Sequence, residues 1–196
     1  MYVPGTVQRF GHMAQAKVTD ELLDEMLDHL HYEVGQLVLY LRFPNPWVWV
    51  LADDLRALTQ RSIFEAGLIH LRVLAEFLGN PVSTDGSVVA RHYLGDEWPW
   101  KMNEQLGSKI GDVHGRLAHL GLVRSADTSF TWGGWLDNNV PAVLAGVRDF
   151  LRRLQEVSPA RYERFANNRH DGWIIDLDAL NADLAEFDHR RRKAQS

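Results

Sequence analysis

Leu22, Leu23, Met26, Leu27, Leu30, Val34, Leu37, Val38 and Leu41 recur at steps of three and four residues. At about 100° per residue this spacing gathers them on one face of a helix of roughly six turns. A face of that length is buried only against comparable elements, so the rest of the chain has to supply them. Thr19 or Asp20 can accept the free backbone N–H groups at its start, and Asp20 and Glu21 suit the positive end of the helix dipole. Pro44 and Pro46 end it.

Further segments carry the same period. A second helix is predicted from about Val48 to Leu78, with a kink at the polar run Thr59-Gln60-Arg61-Ser62. Gly79-Asn80-Pro81 stops it, glycine supplying a left-handed cap and proline following. Val88 to Leu94 reads as a short helix and Glu97-Trp98-Pro99-Trp100 as an aromatic loop. A helix from about Met102 to Val123 follows, then a loop over residues 125–139 containing Gly133-Gly134 and Asn138-Asn139. Trp132 and Trp135 in this loop are expected to tuck against the bundle.

Pro141 occupies a first-turn position, and Val143, Leu144, Val147, Phe150, Leu151 and Leu154 define the next helix. Ser158-Pro159 opens a short segment to about Asn168, and Asp178 to Phe187 forms a last helix before a frayed tail, Arg190 to Lys193. No alternating strand pair is visible. The expectation is a single all-α domain over residues 1–196: an irregular arm at 1–18, a four- to five-helix bundle at 19–157 and a helical C-terminal extension at 158–196.

Apolar residues make up 45% of the 196-residue chain and charged residues 24%, which excludes a disordered class. The net charge of -5 gives no global attraction to nucleic acid, so an RNA role needs a local basic patch. With no cysteine, disulfides and thiolate chemistry are excluded. No signal peptide and no membrane span are read in the chain, which makes a cytoplasmic protein the expectation.

Lys109 to Arg124, KIGDVHGRLAHLGLVR, is read as the axis of the bundle. Leu106, Ile110, Val113, Leu117 and Leu120 form a narrow apolar stripe. Gly107, Gly111 and Gly115, with Ala118, lie opposite and form a groove into which another backbone can settle. Between the two faces run Lys109, Asp112, Arg116 and His119, either as a solvated ion-pair ladder or as the wall of a cleft. The second helix carries His70 and Arg72, with Arg72 and Glu76 an i, i+4 pair and Glu65 on the same face. His70 is read either as a satisfied core histidine or as a functional one.

His70-Leu71-Arg72-x-Leu-x-x-Phe-Leu, with Ala118-His119-Leu120 further on, resembles a large set of uncharacterised bacterial helical proteins, and through them the HEPN superfamily. The resemblance covers roughly residues 50–155. It implies a small, often dimeric helical bundle, in many members a metal-independent ribonuclease of toxin–antitoxin or phage-defence systems. His119 would then act as base or acid, Arg116 or Arg72 would stabilise charge on the phosphate, and His70 would stand beside them. The implied partners are a second copy, RNA or an antitoxin-like protein, with no cofactor. The family's nuclease motif, Arg then four to six residues then His, is matched only by Arg164 and His170, outside the resembling region. Arg116 and His119 are too close together, so a non-catalytic interaction module is the alternative.

Other constellations are weaker. His170-Asp171 resembles the HD metal-phosphohydrolase signature, with His114 or His119 and Asp176 or Asp178 as further ligands. The nine histidines raise a metal site, yet they are scattered without ligand spacing. Trp98 and Trp100 are either a base-stacking platform or a packing plug. Arg190 to Lys193 reads as a solubilising tail.

Overall fold

A computed structural model describes residues 18–42, 53–81, 87–118, 132–168 and 174–195. Seven helices are described: α1 (Asp20–Arg42), α2 (Asp53–Gly79), α3 (Ala90–Leu94), α4 (Glu104–Ala118), α5 (Trp132–Val157), α6 (Pro159–Asn167) and α7 (Leu177–Gln195). Among the described residues there is no strand. The all-α expectation holds at that level.

Helix α1 begins as its sequence demands. Thr19 Oγ1 accepts the Leu22 N–H at 3.3 Å, and Asp20 and Glu21 fill the first turn. Its apolar face is buried from Leu23 to Leu41. Asn103 and Asp176 cap α4 and α7 in the same way, accepting the N–H groups of Leu106 and Ala179 at 2.7 and 2.8 Å.

Helix α5 is the hub, packing against α1, α2, α3, α6 and α7. It buries Trp135, Leu136, Val140, Val143, Leu144, Val147, Phe150, Leu151 and Leu154. Helix α2 lies antiparallel to α1, since Tyr40 packs on Gly67 while Glu33 meets His70. On the other side α6 runs parallel to α1: Arg161 bonds Asp20 and Asp24, and Arg164 bonds Asp28. Phe165, Ile175 and Leu180, from the expected extension at 158–196, belong to the same core as α1, α2 and α5. At the heart of the bundle, Phe77, Tyr93 and Trp98 meet Phe150 edge-on at ring distances of 5.1, 5.6 and 6.0 Å.

Several expectations are corrected. Helix α2 runs without interruption through Thr59–Ser62, because a polar residue does not by itself remove an i→i−4 backbone bond. The loop expected at 125–139 is helical from Trp132 onward, so Pro141 lies inside α5 and not in a first turn. Asn138 and Asn139 return their amides to the carbonyls of Gly134 and Trp135, each at 2.8 Å. An interior proline costs roughly 3 kcal/mol and each glycine about 1. Burying Trp135, Leu136, Val140 and Val143, at roughly 1.5–3 kcal/mol for a large apolar side chain, outweighs those costs.

The largest correction concerns α4. Leu106 and Val113 are buried as expected, but Gly107 and Gly111 face solvent. A Cβ on Gly111 would meet nothing within 4 Å. Helix α4 is therefore a flanking helix against α2 and not the axis. The glycines at close approaches lie elsewhere: a Cβ on Gly146 would come within 2.9 Å of Leu78, and one on Gly79 within 2.9 Å of the Trp100 ring. Gly79 is not left-handed; Gly95, after α3, is the described glycine with positive φ, at 80°. The residues expected to extend α4 to Val123 and α2 back to Val48 lie outside the described ones.

Trp98 is buried and donates from Nε1 to the Leu78 carbonyl at 2.9 Å, while Trp100 covers Gly79 and Gly146. These rings close the bundle and are not a stacking platform. Trp135 tucks in as expected, its Nε1 donating to the Gln105 carbonyl at 3.2 Å. The basic tail is the last turns of α7, with Arg190 bonded to the Leu41 carbonyl and Arg191 to Asn138.

Candidate functional site

The antiparallel pair α1 and α2 leaves a groove at the N-terminal half of α1, closed at one end by residues 87–89. Its volume is about 450 Å³. Met26 and Leu30 line it from α1, Leu74 and Phe77 from α2, and Val88 and Val89 from the connecting segment. The polar groups at its edges are His29 and Glu33 on α1, Glu76 and Asn80 on α2, and Ser87. The helical period accounts for both walls: Met26, His29, Leu30 and Glu33 share one face of α1, and Val73, Phe77 and Asn80 one face of α2.

Two of the four residues singled out from sequence stand behind this groove. His70 Nδ1 lies 2.6 Å from Glu33 Oε2. Its side chain is 12% exposed, and the Tyr32 ring meets it edge-on at 5.7 Å. Arg72 Nε donates to Glu76 Oε1 at 2.8 Å, the i, i+4 pair expected from spacing. His70 and Arg72 thus each hold a carboxylate that lines the groove. Arg116 falls in the last turn of α4, but its side chain, like the whole of His119, lies outside the described residues. His114 as a side chain and His170-Asp171 lie outside them too. Arg164, the arginine of the spaced Arg–His match, is bonded to Asp28 at 3.0 Å.

Sequence reasoning missed Glu33, His29 and Tyr32. The signal was present in the polar border of α1, where His29 and Glu33 stand one turn apart beside the apolar series. It also missed His31, which is buried inside the bundle with its ring against Phe165 at 5.2 Å.

Around the groove the surface carries apolar side chains. Ile69 is 48% exposed and Val73 40%, one turn apart on the outer face of α2, with exposed Tyr32 opposite on α1. Among the described residues no three His, Asp or Glu side chains converge to hold a metal ion. No described helix is long and apolar enough to cross a membrane.

The fold and groove define an all-α bundle protein with a surface cleft between its first two helices. Against known proteins, no family model, no curated protein and no solved structure matches the chain.

Proposed function

We propose that this is a non-catalytic protein-interaction module that seats a partner segment between α1 and α2. The observation that carries the reading is the pair Ile69 and Val73, large apolar side chains left in solvent beside an open apolar groove. Adjacent exposed apolar side chains continuous with an apolar groove are what a docking surface presents. The polar groups nearest by are engaged with one another: Arg72 with Glu76, His70 with Glu33. A HEPN-like ribonuclease needs an arginine and a histidine that converge on a phosphate, whereas His70 and Arg72 each contact a glutamate that lines the groove.

In this reading α1, α2, α4 and α5 make up the HEPN-like bundle that the resemblance implies, without its spaced Arg–His pair. Purified protein is incubated with bulk RNA in chelator, and a photo-crosslinking residue at position 73 is used in cells of the source organism. The expected result is intact RNA and one discrete adduct that Ile69→Asp removes. Metal-independent cleavage by wild type that is lost in His119→Ala or Arg72→Ala would overturn the reading in favour of a HEPN-like ribonuclease.

A further inference from the structure

No further inference is drawn: the strongest candidate, the apolar groove between α1 and α2, has its lining carboxylates Glu33 and Glu76 already held by His70 and Arg72, and nothing in the structure shows what covers it.

Discussion

His70 and Glu33 join α2 to α1 through a 2.6 Å contact at the wall of the groove. The residues come from different helices, and both side chains are largely shielded, so the contact ties the helix pair that forms the trough.

Removing either partner leaves the other facing a desolvated site. His70→Ala is expected to lower stability by about 1–2 kcal/mol, and Glu33→Gln by less, since the amide still accepts a hydrogen bond. A double-mutant cycle by urea denaturation should return a coupling of about 0.5–1.5 kcal/mol. Additive losses would show that the two side chains act independently.

Tyr40 and Tyr93 predict an alkaline transition. Both hydroxyls titrate well above the usual tyrosine value of 10.0, chiefly because burial disfavours the phenolate. The Asp137 carboxylate adds to this at Tyr40, accepting its hydroxyl at 3.0 Å. At Tyr93 the Arg161 charge partly opposes the rise. A folded-state value above the unfolded one means that the stabilisation is complete below the unfolded value and is lost as pH climbs beyond it. Stability should therefore fall from about pH 10 upward, less steeply in Tyr40→Phe. Absorbance titration should show two of the five tyrosines ionising only as the fold is lost. Five tyrosines titrating together in the folded protein would contradict the burial argument.

The apolar period carried most of the architecture. Leu23 to Leu41 and Val143 to Leu154 are buried as their spacing requires, and Thr19 caps where its hydroxyl suggests. The start of α5 was not legible, because Gly133, Gly134 and Asn138 have loop preferences that burial of Trp135 and Val140 overrides. Gly79 ends α2 at the expected place with Pro81 just beyond, but not as a left-handed cap; what its missing Cβ does is admit the Trp100 ring. Within the candidate site, Arg72–Glu76 is local and follows from i, i+4 spacing. His70–Glu33 spans 37 residues, and no spacing rule encodes a contact between two helices before their packing is known.

Arg190 and Arg191 turn an expected tail into a strap. Arg190 donates to the Leu41 carbonyl in the last turn of α1, where carbonyls lack helical partners, and the cation suits the negative end of the dipole. Arg190→Ala is expected to lower stability by about 0.5–1.5 kcal/mol, and Arg192→Ala, on an exposed residue, by under about 0.5. Thermal melting of the two variants side by side measures the contrast. Equal melting temperatures would return these residues to the role of a solubilising tail.

Gly111 and Gly146 predict opposite responses to one added methyl group. Both lie inside helices, where glycine costs about 1 kcal/mol relative to alanine through backbone entropy. At Gly111 the added carbon meets nothing within 4 Å, so Gly111→Ala should raise stability by up to about 1 kcal/mol. At Gly146 it would press against Leu78 Cδ1 at 2.9 Å and into the Trp100 ring. Trp100 also packs on Gly79, so it has little room to retreat. The overpacking cost of about 1–3 kcal/mol then exceeds the helix gain, and Gly146→Ala should lower the melting temperature. Were α4 the axis of the bundle, the signs would be reversed, with Gly111→Ala the damaging change. The pair of melting curves therefore decides which helix the fold is built around.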